Sequence, residues 1–61
     1  MKREVNYETA RNYYLAGKWV DLGTSQEEFW SVNKSYHPQQ NLEDIIERYN
    51  QYYDGDIKFY V

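Results

Sequence analysis

The chain has 61 residues, of which 41% are hydrophobic, seven are basic and ten are acidic; its net charge is −3 and it contains no cysteine. This length leaves room for one small domain spanning residues 1–61, and the lack of cysteine excludes disulfide bridges and thiolate metal sites. The hydrophobic fraction is too high for a disordered chain, and the mild, interspersed charge favours solubility over nonspecific attraction to nucleic-acid backbones or anionic lipid.

The apolar runs of the chain are short. Each covers a few residues, far fewer than the roughly 20 needed to cross a bilayer. The start, Met-Lys-Arg-Glu-Val-Asn, lacks the apolar stretch of a secretory signal peptide. We therefore expect a cytoplasmic protein that has no contact with a membrane.

The first predicted element is a helix over about residues 7–16. Asn6 is suited to cap its first turn, and Gly17 stands where helices often end in a left-handed residue. Three apolar side chains recur at helical spacing and predict the buried stripe: Tyr7, Ala10 and Tyr14. Tyr13 lies at the margin of this stripe and is therefore a candidate for the surface.

A short strand over residues 18–22 and a second helix are predicted next. Thr24 and Ser25 each precede a glutamate by three residues, which is the spacing of a helix capping box. The helix should begin there and end before Pro38, since proline lacks the amide hydrogen. Its predicted stripe consists of Phe29, Val32 and Tyr36. Trp30 lies off this stripe.

The third helix has the clearest pattern. Asn41 caps it, and its apolar residues fall within one face: Leu42, Ile45, Ile46, Tyr49, Tyr52 and Tyr53. A strand over residues 57–61 follows, with Tyr60 on its outer side, and residues 2–5 are a possible further strand. The strands at 18–22 and 57–61 should pair, because an isolated strand is unstable. The predicted fold is α+β: three short helices packed on a small antiparallel sheet of two or three strands.

The segment Ser-Tyr-His-Pro between two predicted helices resembles the loop of a J domain, a co-chaperone module in which a His-Pro-Asp loop joins two antiparallel helices. The resemblance implies a heat-shock chaperone as partner. This chain departs from the family pattern, since Gln39 replaces the acidic residue, the preceding helix is several residues too short and its basic face is absent. We therefore interpret Pro38 as a helix terminator and His37 as a solvated turn residue.

Duplex DNA binding and catalysis are both disfavoured. A helix-turn-helix reader needs a basic recognition helix, whereas the exposed face of the third helix carries three acidic residues and only Arg48 in compensation. One histidine, no cysteine and scattered serines leave no nucleophile with a recognisable base, and Asp54-Gly55-Asp56 is too short for a calcium loop. We predict a protein that is not an enzyme and uses no cofactor or metal.

The surplus of aromatic residues points instead to protein binding. Eight tyrosines, two tryptophans and two phenylalanines are present, and such side chains recur in cores and at interfaces. Four of them lie off the predicted stripes and are the candidate partner-binding residues: Tyr13, Trp19, Trp30 and Tyr60. We predict a small non-catalytic protein-binding or regulatory module, for example an inhibitor of a larger partner. Its length and its Asn- and Tyr-rich composition are similar to those of small bacteriophage and mobile-element accessory proteins.

Two alternatives stay open at this stage. The same aromatics could bind single-stranded nucleic acid by stacking on bases, helped by scattered cations at Arg11, Lys34 and Lys58. The chain could also form a homodimer in which the surplus aromatics of two copies meet. The dependence of binding on salt distinguishes a nucleic-acid ligand from a protein partner, and light scattering distinguishes a homodimer from a monomer.

Overall fold

A computed structural model describes residues 2–61 as a two-layer α+β fold. Its elements, in chain order, are β1 (Glu4–Val5), α1 (Tyr7–Leu15), β2 (Val20–Gly23), β3 (Phe29–Val32), α2 (Leu42–Asn50) and β4 (Lys58–Tyr60). The α+β class and the pairing of β2 with β4 are confirmed. The counts are corrected: within residues 2–61 there are two helices and a four-stranded antiparallel sheet, and the predicted second helix is replaced by β3.

The sheet has the order β1-β4-β2-β3, and every neighbouring pair is antiparallel. β4 lies between β1 and β2, while β2 lies between β4 and β3. Each helix therefore connects two strands that run in the same direction on either side of a third, which makes two interlocked split β-α-β units. The register aligns Leu22 with Phe59 and Trp30, and aligns Asp21 with Tyr60 and Ser31. Each set of aligned residues forms a row across the strands, and the side chains of successive rows point to opposite sides of the sheet. The Leu22 row and the Asp21 row therefore lie on the two different faces.

Both helices pack on the face that carries the Leu22 row. Tyr7 of α1 lies 5.9 Å from Phe59, and Tyr49 of α2 lies 5.0 Å from Trp30, measured between ring centroids. The buried core between the layers consists of Ala10, Tyr14, Val20, Leu22, Val32, Leu42, Ile45, Tyr49 and Phe59. We call this side of the sheet the covered face, and the side that carries the Asp21 row the open face.

The predicted ends of α1 are confirmed. Asn6 accepts a hydrogen bond of 2.8 Å from the amide of Thr9, and Gly17 follows the helix with a φ of 80°. The predicted stripe is right for Ala10 and Tyr14, which are fully buried, but Tyr7 is exposed. Tyr7 belongs to the first turn, so its ring reaches only the rim of the core at Phe59.

The start of α2 is confirmed, but its end comes earlier than predicted. Asn41 and Asp44 form a reciprocal capping box, with side chain to amide distances of 2.9 and 3.2 Å. The helix ends at Asn50 and the chain then turns. Tyr52 is consequently 71% exposed instead of lying on the apolar face.

The predicted second helix is wrong, because residues 24–28 form a hairpin loop that leads into Phe29–Val32. Ser25 does accept hydrogen bonds from two amides further along the chain, at 3.1 and 3.2 Å. This local pattern serves helix caps and tight loops alike. Gly23 allows the close return of the chain: a Cβ there would overlap a loop carbonyl and lie 2.6 Å from the first Cα of β3.

The loss of this helix also removes the helix pair implied by the J-domain resemblance. In residues 2–61 the element that precedes His37 and Pro38 is β3, and residues 34–36 and 38–39 are in turns. The His-Pro segment therefore connects a strand to α2 instead of joining two antiparallel helices.

Two buried tyrosines tie the hairpin loop and the β3–α2 connection to the helices. The Tyr14 hydroxyl donates to the Gln40 carbonyl at 2.9 Å. The Tyr49 hydroxyl donates to the Glu28 carbonyl at 2.8 Å and accepts from the Thr24 amide at 3.1 Å. Both rings are fully buried, so the hydroxyls satisfy backbone groups that no strand or helix serves.

Candidate functional site

The structure separates the four aromatics that the sequence analysis singled out. Tyr60 does point to the open face, away from Phe59, but it is only 6% exposed. It lies on the central strand β4, where Lys2 and Phe29 share the lining of a cavity of about 300 Å³ with it. The expectation that Tyr60 is a surface residue is therefore wrong.

Trp30 is also not a free surface residue. Its expected outward position depended on the second helix, and β3 places it on the covered face instead. Its ring packs on Tyr49 in an edge arrangement at 5.0 Å and lies 6.4 Å from Tyr53. Two of the four candidate contact residues are therefore not free surface side chains, since Tyr60 is buried and Trp30 is partly buried.

Tyr13 and Trp19 keep accessible surface. Tyr13 is partly buried against the core, and the Lys18 ammonium lies 5.4 Å from its ring centroid. Trp19 is 55% exposed and stacks on Tyr36, with ring centroids 5.4 Å apart and planes 29° from parallel. Tyr36 is 70% exposed. We call Trp19 and Tyr36 the aromatic pair.

Sequence reasoning missed Tyr36 because it was assigned to the core stripe of the second helix. Its place two residues before Pro38 was the available signal, since residues near proline favour turns and extended backbone over helix. The structure places Tyr36 in a turn closed by its amide, which donates to the Asn33 carbonyl at 3.0 Å. A side chain in such a turn has no helical face to join.

The loops that carry the aromatic pair are held together by Asn33. Its side-chain amide donates to the Gly17 carbonyl at 3.1 Å, and its side-chain oxygen accepts from the Ser35 amide at 2.8 Å. Asn33 itself is buried. The α1–β2 loop and the β3–α2 loop are therefore joined by a buried polar group, which restrains the two segments that carry the pair.

On the open face, charged and polar side chains cover the central strands in place of a helix. Asp21 is 4% exposed, accepts a 2.5 Å hydrogen bond from the Ser31 hydroxyl and forms an ion pair with Lys2. The Lys2 ammonium also lies 5.2 Å from the ring centroid of Phe29. The Ser31 hydroxyl satisfies one oxygen of the buried carboxylate by hydrogen bonding, and the Lys2 ammonium balances the charge at the other oxygen. This arrangement does not resemble a nucleophilic site, because the single histidine, His37, lines a different groove.

Two tyrosine hydroxyls have altered acidity for structural reasons. Hydrogen bonding to Glu43 raises the pKa of Tyr7, with smaller contributions from burial and from the charge of that carboxylate. Burial raises the pKa of Tyr14, and the charge of Asp44 adds to this. Both hydroxyls stay protonated at neutral pH. Across residues 2–61, no group of three His, Asp or Glu side chains is placed to hold a metal ion.

Two of the three cations of the nucleic-acid alternative already contact oxygen atoms of the chain. Lys34 donates to the Pro38 and Gln40 carbonyls at 3.3 and 3.2 Å. Arg11 lies 3.9 Å from a Glu43 oxygen. Since Tyr60 is buried on the open face and Trp30 faces α2, the aromatics named for base stacking do not share one surface.

No protein-family model, curated protein or solved structure matches the chain. In the part of the chain that the structure describes, neither helix has the length and apolar character needed to cross a membrane. The geometry of the aromatic pair and its surroundings is therefore the main indication of function.

Proposed function

We propose that the protein is a non-catalytic protein-binding module that contacts a larger partner through the aromatic pair. The observation that carries this proposal is the exposure of Trp19 and Tyr36, at 55% and 70%, while the two rings stack on each other. Binding free energy at protein interfaces concentrates on tryptophan, tyrosine and arginine side chains that become buried. A partner surface that covers both rings would remove a large apolar area from water.

The rigidity of the two loops supports the same proposal. Ordering flexible loops reduces affinity, and a surface that is already ordered avoids this loss. The buried side chain of Asn33 joins both loops in the free chain. A small regulator or inhibitor needs such a surface because it acts by binding to a surface of its partner.

The test compares three tagged proteins: the wild type, a Trp19→Ala/Tyr36→Ala double variant, and Tyr52→Ala as the control. Tyr52 is as exposed as Tyr36 but belongs to the turn after α2. Pull-down from the source lysate is carried out with and without nuclease treatment, and unfolding midpoints are recorded in parallel. We expect wild type and Tyr52→Ala to retain the same partner, and the double variant to lose it at an unchanged midpoint.

The same samples separate the alternatives. Retention that disappears with nuclease and falls steeply with salt would favour single-stranded nucleic acid as the ligand. Light scattering that gives a dimer for wild type and a monomer for the double variant would favour self-association through the pair. A partner retained equally by the double variant would exclude the aromatic pair as the contact.

A further inference from the structure

The two edges of the sheet differ in how they are protected. At one edge, β1 contains only Glu4 and Val5, and Lys2 and Arg3 precede it. Short edge strands and charged side chains are the usual means of preventing a further strand from pairing. At the other edge, β3 has the sequence Phe-Trp-Ser-Val, with no charge, no proline and twice the length of β1.

The outer side of β3 has no hydrogen-bond partner among residues 2–61. Its ladder to β2 accounts for the described pairing of Phe29–Val32. The backbone hydrogen bonds of loops and turns involve none of these four residues, and neither do the described bonds from side chains to backbone. In an antiparallel ladder alternate residues direct their amide and carbonyl groups away from the neighbour, so β3 presents unpaired groups at the edge.

A groove of about 220 Å³ runs beside this edge on the covered face. Trp30 and Ile45 supply its apolar lining, while His37 and Arg48 supply the polar lining. Arg48 is exposed and belongs to neither ion pair found within residues 2–61, which are Lys2–Asp21 and Arg11–Glu43. The groove therefore combines an apolar floor with a guanidinium group that has no carboxylate partner in the described chain.

We infer that β3 is a docking edge for an extended segment of a partner protein, which adds a strand to the sheet and places a carboxylate against Arg48. Backbone hydrogen bonds to the free edge would hold the segment, as in other cases of strand addition. Alternate side chains of the segment would enter the groove, one apolar beside Trp30 and Ile45 and one acidic at Arg48. This inference rests on the proposed protein-binding function and adds a second surface to it.

Charge complementarity favours such a segment over a second copy of this chain. Two copies paired through β3 would present Phe29–Val32 to each other, and these four residues carry no carboxylate; the nearest one along the chain, on Glu28, belongs to the hairpin loop that Tyr49 holds. An acidic side chain supplied from outside meets the guanidinium in a charge-assisted hydrogen bond. Among the residues that line the groove, Arg48 is the one that carries a formal charge, so a basic side chain placed there would meet a like charge.

The test uses a fluorescein-labelled peptide, Thr-Val-Thr-Glu-Thr-Val-Thr, with the full-length protein. Matched peptides carry lysine in place of glutamate, or the original side chains with alternate backbone amides N-methylated. Fluorescence anisotropy measures affinity, and amide hydrogen exchange follows β3. We expect the glutamate peptide to bind about tenfold more tightly than the lysine peptide. N-methylation of the peptide amides that face β3 should abolish binding, and the exchange of the β3 amides should slow in the complex.

Protein variants locate the site. Arg48→Ala should remove the preference for glutamate over lysine, whereas Arg3→Ala at the opposite edge should preserve it. The Trp19→Ala/Tyr36→Ala variant should bind the peptide as wild type does. The two proposals, contact through the aromatic pair and docking on β3, can therefore be refuted independently of each other. Equal affinity for the glutamate and lysine peptides, absence of binding, or a concentration-dependent dimer that protects the β3 amides would overturn the inference.

Discussion

The two faces of the same sheet are buried by different means. On the covered face, two helices bury Leu22, Phe59 and part of Trp30 through apolar and aromatic contacts. On the open face, Asp21 and Tyr60 are also buried, although side chains and loop residues cover them instead of a helix. The comparison shows that a very short chain can bury both sides of its central strands by laying long side chains across one of them. The covered face should then depend on apolar area, and the open face on polar contacts.

Loss of packing on the covered face should have the largest effect. Leu22→Ala removes a fully buried side chain from the core on the covered face, and we expect it to lower the free energy of unfolding by about 2–5 kcal/mol. Denaturant unfolding measures this. Leu15→Ala, the same substitution at an exposed residue, should change the value by less than about 0.5 kcal/mol. Similar losses at both positions would mean that the helical layer does not pack as described.

The polar contacts of the open face should contribute less. Asp21→Asn keeps the shape of the side chain but removes the charge that pairs with Lys2 and accepts from Ser31. We expect a loss of about 1–3 kcal/mol. Asp56→Asn, at an exposed loop position, serves as the control. If the cost exceeds that of Leu22→Ala, the distinction between the two faces breaks down.

The Tyr14 hydroxyl should give a smaller effect that depends on pH. Tyr14→Phe loses the hydrogen bond to Gln40, which we expect to cost about 0.5–1.5 kcal/mol near neutral pH. Burial raises the pKa of Tyr14, so the folded state holds the proton more tightly than the unfolded state. This contribution is complete below about pH 10, the ordinary tyrosine pKa, and is lost as the pH rises through the folded-state pKa. Between pH 8 and pH 11 the free energy of unfolding should therefore fall less steeply with pH for Tyr14→Phe than for wild type. Equal slopes would contradict this assignment.

The aromatic pair should have the smallest effect on stability. Trp19 and Tyr36 are mostly exposed and lie in the α1–β2 and β3–α2 loops. We expect Trp19→Ala and Tyr36→Ala each to change the free energy of unfolding by no more than about 0.5 kcal/mol. Thermal unfolding of each single variant measures this. A loss comparable to that of Asp21→Asn would make the pair a structural element and weaken its case as a contact surface.

Local signals predicted the elements whose hydrogen bonds are local. Asn6 and Asn41 were identified as caps, and both accept the expected amide hydrogen bonds. The same reasoning failed at Ser25, because its side-chain hydrogen bonds are equally compatible with a hairpin loop. What decides between the two is the pairing of β3 with β2, a contact that local spacing does not encode. The dense β-forming composition of Phe29–Val32 was the available indication of a strand.

The exposure of individual aromatics was harder to predict than the fold class. Trp19 was expected at the surface and is exposed, whereas Tyr60 was expected there and is buried. The direction of Tyr60 follows from strand alternation. Its burial does not, because it requires Lys2 and Phe29 to lie over the same part of the sheet. Such coverage depends on side-chain placement across three strands and leaves no periodic pattern in the sequence.

The hydroxyl of Tyr49 links distant parts of the chain in a way that bears on folding. It reaches back 25 residues to the Thr24 amide and 21 residues to the Glu28 carbonyl. We therefore expect the turn between β2 and β3 to become fully ordered only after α2 has docked, since the Thr24 amide and the Glu28 carbonyl lack this partner until then. Hairpin and helix should form and unfold together as one cooperative unit, with no populated state in which the hairpin stands alone.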